Sequence, residues 1–282
     1  VDRSVSFLES TVEQDEPFVL FHATQLPHMD HRHSWPSRPE IRATYDDDLM
    51  PLPETWRGDL TDKPPYLESV RNRTQALGYG YDRPEVIRAH AGDYYAVVTH
   101  LDAILGELFD TMTDLNLWEN TWVVFMSDNG WMLGEHGFTS KVLPYDPSMR
   151  VPLCVLGPDL APRVENRIAL NIDIAPIFLD LANVEIPSAM HGSSLTPILL
   201  EEECDWRESF VYECIGGYGG TRPLLGVSDG SWKLLYTWDD ASEVATSPPS
   251  FVELYDLIND PEETSNLAEE TRHTSVRQRL GE

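Results

Sequence analysis

Lysine is what this sequence has least of. Its 282 residues contain only Lys63, Lys141 and Lys233, beside 17 arginines. Forty-eight acidic residues against 20 basic ones leave a net charge of −28. A surface so negative repels phosphate backbones and anionic bilayers, which excludes nucleic acid and membrane as natural partners. Keeping arginine while shedding lysine points to a chain that works in high salt, where self-repulsion is screened. Nor does any apolar run approach the ~18 residues of a transmembrane helix. Cysteine is sparse too: Cys154, Cys204 and Cys214 are far apart and form no CxxC, so neither a disulfide scaffold nor a zinc motif is expected. Cys154 lies in the apolar run VPLCVLG and is expected to be a buried thiol. The first residues, VDRSVSFLES, show neither an initiator methionine nor a signal-peptide pattern. They read as the middle of a helix. We therefore expect a piece of something longer, whose compartment is unreadable because its true N-terminus is out of sight.

What is present supports a packed α/β protein. Hydrophobic residues make up 41% of the chain, enough for a core rather than disorder. Phe18–Phe21 and 121–126 read as short buried strands, and 151–156 as another. Residues 85–116 carry apolar positions at Ala91, Tyr94, Tyr95, Val98, Leu101, Leu105, Leu108, Met112 and Leu115, in steps of three and four that predict one helix with a buried stripe. A second helix is expected from Asn171 to Ala182, with Asp173 as N-cap. Alternating strands and helices argue for α/β layers. After residue 200 four short strand patterns follow (210–214, 223–227, 232–236, 252–256), with Asp229-Gly230 as a hairpin signal, and a closing helix is expected over 262–280. This divides the chain into residues 1–200, an α/β part, and 201–282, a small antiparallel subdomain. Between them in texture, 34–84 is rich in Pro, Arg, Asp and Tyr and reads as an irregular wall or lid.

Two polar clusters follow predicted strands. After 121–126 come Asp128, Asn129 and Gly130, and twelve residues beyond Asn129 stands Lys141. Ligands of open α/β sheets bind beyond the carboxyl ends of strands, and a carboxylate beside an amide oxygen is a pair of hard ligands of the kind Ca²⁺ takes. The stretch suggests an oxyanion site beside a bound cation. After 18–21 come His22, His28, His31 and His33. Pro27 restricts the backbone before His28, so a fixed imidazole donor to an anion is the reading for that residue; the others read as surface loop.

The segment SDNG…MLGEHG…K…PY…SMRVPL resembles the sulfatases of the alkaline-phosphatase superfamily. PFVLFHATQLPH, DYYAVVTHLD, HGSSL, DGSWKLLY and ELYDLINDPEETSNLA resemble the same family in the same order. The resemblance implies an alkaline-phosphatase-like mixed-sheet sandwich with a small C-terminal antiparallel sheet plus helix. It also implies hydrolysis of a sulfate monoester to an alcohol and sulfate. Carried over residue by residue, it makes Asp128 and Asn129 ligands of a divalent cation, normally Ca²⁺, and Lys141 and His28 contacts to the sulfate. His136 becomes a loop-shaping residue or minor substrate contact. The partner implied is a small-molecule or carbohydrate sulfate ester; a homo-oligomer is left open. The family's nucleophile is a formylglycine made from Cys or Ser in a Cys/Ser-x-Pro/Ala-x-Arg run. None of the three cysteines has that context, and no serine is identified in it. On this ground we expect an N-terminal block of about 200 residues, a domain's worth, to be missing, and the chain alone to be inactive. The alternatives are a phosphonate monoester or phosphodiester hydrolase of the same superfamily and a non-catalytic binding remnant.

Overall fold

The computed structural model describes residues 1–282 except 13, 15, 245 and 282. The chain opens on α1 (Asp2–Val12), which has Asp2 in its first turn. Leu8 of α1 is buried against Leu108 and Met112, with Phe18 and Leu20 packed beside them. Phe18–Phe21 is not the buried strand expected. Phe18 and Leu20 face this cluster, while Val19 and Phe21 are 71% and 79% exposed.

Residues 34–84 are less irregular than their composition suggests. They hold the short helix α2 (Pro39–Arg42) and the longer α3 (Arg71–Tyr79). Within Asp46–Asp48, the Asp46 side chain caps a single helical turn by accepting from the Asp48 N–H, while Asp47 pairs with Arg42. The long helix α4 (Pro84–Asp114) begins with proline at its first position, where the missing N–H costs nothing. Its buried line runs through Ile87, Ala91, Gly92, Ala96, Val97, Leu101, Leu108 and Met112. Tyr95 and Val98, assigned to that stripe from spacing, lie at its exposed edge. Small residues let neighbouring segments approach the helix there, and apolar periodicity weights large side chains instead.

Two strands, β1 (Val123–Met126) and β4 (Leu153–Leu156), pair antiparallel, with Val123 opposite Leu156 and Met126 opposite Leu153. Between them lie the small hairpin strands β2 (Met132–Leu133) and β3 (Thr139–Ser140) and the short helix α5 (Asp146–Met149). Successive strand residues point to opposite faces. Val124, Met126 and Leu153 therefore pack on α6 (Ile174–Leu181) and α7 (Thr196–Leu199), whereas Cys154 points away and is exposed. The expected buried thiol is thus on the wrong face of its strand.

Asp173 is buried beneath α6. It makes no cap hydrogen bond to that helix; instead it accepts from the N–H groups of Leu170 and Ser193 and from both terminal nitrogens of Arg207.

The C-terminal sheet follows the predicted strands closely: β5 (Phe210–Cys214), β6 (Leu224–Ser228), β7 (Trp232–Thr237) and β8 (Phe251–Asp256), all antiparallel in that order. Asp229 closes the β6–β7 hairpin by accepting from the N–H groups of Ser231 and Trp232. The last helix, α8 (Thr274–Gly281), is shorter than expected. The Asp260 carboxylate binds the N–H groups of Thr264 and Ser265, which holds 260–265 as a loop. One face of the sheet packs on α8. Leu224, Leu235 and Tyr255 of its other face share a core with Leu67, Met132, Phe138, Leu143 and Tyr145. The C-terminal sheet is therefore the floor on which the segment between β1 and β4 rests.

Two of the three lysines are built into this floor. Lys233 is 2% exposed and binds Asp146, Glu263 and the Pro144 carbonyl. Lys63, equally buried, pairs with Asp62 and lies 4.9 Å over the Tyr255 ring.

Candidate active site

Beyond the end of β1 the chain turns sharply. Ser127 Oγ donates to the Asn129 carbonyl at 2.8 Å, and the Gly130 N–H donates to the Ser148 carbonyl at 2.9 Å. A Cβ on Gly130 would stand 2.1 Å from the Pro147 carbonyl oxygen, so only glycine fits this approach. The turn presents Asn129, and Lys141 reaches it: Nζ donates to Asn129 Oδ1 at 2.9 Å. The two residues singled out by type are thus a bonded pair. Asp128 is exposed, and its backbone carbonyl accepts from Asn171 Nδ2 at 2.9 Å.

His28 arrives from the loop after 18–21. Its Nδ1 lies 2.7 Å from the Met29 carbonyl. A carbonyl only accepts, so Nδ1 carries the hydrogen and Nε2 is the ring atom left for a ligand. The ring packs edge-on against Trp131, centroids 5.9 Å apart. His28 and Lys141 therefore both reach the 129–131 turn, one through Trp131 and the other through Asn129. Trp131 in turn meets Trp35, and Trp35 meets His90 and Tyr94, forming an aromatic wall behind His28. Sequence reasoning missed this wall; the available signal was the tryptophan directly after the SDNG turn.

His136 belongs elsewhere. It is 3% exposed, with its ring 4.7 Å from that of Tyr145. Burial, with help from nearby Lys63, pulls its pKa down to about 4. It borders a cleft of about 600 Å³ with Tyr94, Tyr95, Glu135 and Arg150. Glu135 is also pushed up by burial, against the N–H groups its carboxylate accepts from.

The metal reading is corrected by the donor set. Among the described residues, no three His, Cys, Asp or Glu side chains gather as a metal site, and the Asn129 oxygen is occupied by the Lys141 ammonium. Calcium takes six to eight oxygens, which these residues do not supply. The expectation of Ca²⁺ at Asp128 and Asn129 is withdrawn, and no step is assigned to a metal.

This arrangement, a strand-end turn holding a lysine beside a fixed imidazole, is the candidate site, and it lies in an alkaline-phosphatase-like sandwich. The chain matches two family models, "Sulfatase" over residues 1–184 and "N-sulphoglucosamine sulphohydrolase, C-terminal" over 134–282. It belongs to the sulfatase family.

Among curated proteins it is 29% identical to the choline-sulfatase of Rhizobium meliloti over 94% of this chain and 49% of that one. It is 33% identical to the N-acetylglucosamine-6-O-sulfatase of Bacteroides thetaiotaomicron over 62% of this chain and 31% of that one. The chain thus spans about half the length of the choline-sulfatase. Among solved structures, BT4656 in complex with its substrate D-glucosamine-2-N,6-O-disulfate superposes with a TM-score of 0.83 at 22% identity, over 99% of this chain and 66% of that one. The phosphonate monoester hydrolase from Silicibacter pomeroyi superposes with a TM-score of 0.73 at 23% identity, over 86% and 51%. The fold expected from the resemblance is the fold found.

The expectation that the chain is only a C-terminal part, inactive for want of a nucleophile segment, is withdrawn: sulfatase-family sequence is matched over residues 1–184 and 134–282. A run with the required spacing is moreover present in serine form, Ser34-Trp35-Pro36-Ser37-Arg38. Ser34 is exposed in the His28 loop, and its Oγ donates to Asp30 at 3.0 Å. The expectation about the compartment is withdrawn and no compartment is assigned; α1 is ordered from Asp2. Among the described residues no helix is long and apolar enough to cross a membrane.

Proposed function

We propose that the chain supplies the anion-contacting part of a sulfuric-ester hydrolase acting on a sulfated sugar. The supporting observation is the Lys141–Asn129 pair. One of the three ammonium hydrogens is spent on Asn129, which fixes the head group and leaves two donors for an anion. A cation held this way stabilises charge that builds on the transferred sulfate group. His28, with Nδ1 committed to Met29, offers Nε2 on the same turn. In its imidazolium form Nε2–H donates to a sulfate oxygen or hands its proton to the departing alkoxide. Residues 1–200 carry these groups, and 201–282 act as the subdomain beneath them. The sugar is favoured by the two similar proteins whose names carry a glucosamine sulfate.

The test is hydrolysis of glucosamine 6-sulfate, choline sulfate and an aryl phosphonate monoester, read as sulfate release from the first two and as release of the phenol from the third. The sugar ester is expected to react with the highest kcat/KM, and Lys141→Ala to lose about 10²–10³ of it. Preference for the phosphonate by orders of magnitude would assign the site instead to the chemistry named for the Silicibacter protein.

A further inference from the structure

The backbone around Lys141 is strained on both sides. Ser140 has φ +73° and Val142 φ +85°. A β-branched residue at positive φ is a true outlier, and such strain persists only where the surroundings over-determine it. Here the surroundings are two side chains from opposite parts of the fold. Asn72 of α3, 4% exposed, donates through Nδ2 to the carbonyls of Thr139 at 2.7 Å and Lys141 at 2.9 Å. Tyr212 of β5 donates its hydroxyl to the Val142 carbonyl at 2.9 Å. Three carbonyls within four residues are thus held from two directions, and the residue between the grips is the lysine.

We propose that Asn72 and Tyr212 are positioning residues for Lys141, holding the strained turn that keeps its ammonium on Asn129. Released from them, the turn relaxes toward negative φ, the peptide planes on either side of Lys141 rotate, and Nζ leaves its place. The proposal rests on Lys141 being the anion contact. It goes beyond that reading by assigning the strain, and the two groups that maintain it, to the geometry of the contact.

The experiment is a double-mutant cycle on the affinity for inorganic sulfate, measured by titration calorimetry on the whole chain, with the thermal midpoint of each protein recorded alongside. Tyr212→Phe keeps the ring and removes one hydroxyl. It is expected to weaken sulfate binding about three- to tenfold while leaving the midpoint within a few degrees. Asn72→Ala is expected to weaken it further where that variant folds. In a Lys141→Ala background, Tyr212→Phe is expected to have no further effect, an outcome that a general structural role would not produce. Wild-type affinity in Tyr212→Phe, or an equal loss with and without Lys141, overturns the positioning role alone. A wild-type chain that takes up no sulfate, or a Lys141→Ala chain that binds it unchanged, overturns the anion contact itself and the positioning role with it.

Discussion

Asn129 and Lys141 stand twelve residues apart in the chain and 2.9 Å apart in space, joined by a hydrogen bond from ammonium to amide oxygen. The bond makes Asn129 an orienting group for Lys141. Asn129→Ala should leave the lysine in place in sequence but free to wander. We expect it to raise the KM for a sulfate ester several-fold, with a smaller loss than Lys141→Ala. Steady-state kinetics on the two variants check the order; equal losses would remove the orienting role.

Gly130 lets that turn close against Pro147. Gly130→Ala must push the two segments apart. We expect about 1–3 kcal/mol of lost stability from the forced overlap, read by urea denaturation, together with loss of sulfate binding.

Glu253 is buried in the floor beneath the site, accepting at Oε1 from the hydroxyls of Tyr145 at 2.9 Å and Tyr255 at 2.6 Å. Burial pushes its pKa up to about 7, against the pull of those hydroxyls. Between the ordinary carboxylate value and 7, the folded chain holds a proton that the unfolded chain has released. Its contribution to stability therefore falls as pH rises through that window. Glu253→Gln keeps Oε1 as acceptor and removes the titration. We expect the variant to match the wild type at pH 4, where the carboxyl is protonated in both states, and to exceed it at pH 8 by roughly 3 kcal/mol. His136, pulled down to about 4, acts in the opposite sense: its contribution is lost as pH falls from about 6.5 through 4. Denaturation midpoints at the two pH values give the result, and equal midpoints at pH 8 would refute it.

Arg207 grips Asp173 with two hydrogen bonds, and Asp173 is fully buried. Arg207→Ala leaves an unpaired buried carboxylate and should cost roughly 3–5 kcal/mol. Replacing both residues by apolar ones should cost less, since no lone charge then remains. Chemical denaturation of the single and double variants decides this.

The net charge of −28 sets a salt dependence. We expect the thermal midpoint to climb as sodium chloride rises from low to molar concentration, because self-repulsion is screened within about 3 Å at 1 M. Full stability in dilute buffer would remove the high-salt reading.

The C-terminal sheet was legible because each strand is short, apolar and bounded by turn residues, and Asp229-Gly230 marked its hairpin outright. Lys141 and Asn129 were legible by type and spacing, but their bond to each other was not: an amide oxygen beside a carboxylate reads equally as a metal ligand or as a lysine partner. Phe18–Phe21 misled because an apolar run records composition rather than which residues face a neighbour. Cys154 misled for a related reason, since a one-residue phase on a strand decides between core and solvent. Asn72 carried no signal at all. Its role depends on a carbonyl 69 residues away, and single-chain periodicity holds no information about such contacts.

The scarcity of lysine has a practical consequence. Lys63 and Lys233 are sealed in the interior by ion pairs, and Lys141 is the partly exposed side-chain amine. Brief acetylation of the native chain should therefore mark Lys141 and spare the other two, as peptide mass mapping would read. Saturating sulfate should slow the marking. The composition has in effect left one chemically addressable side-chain amine, and it stands at the site.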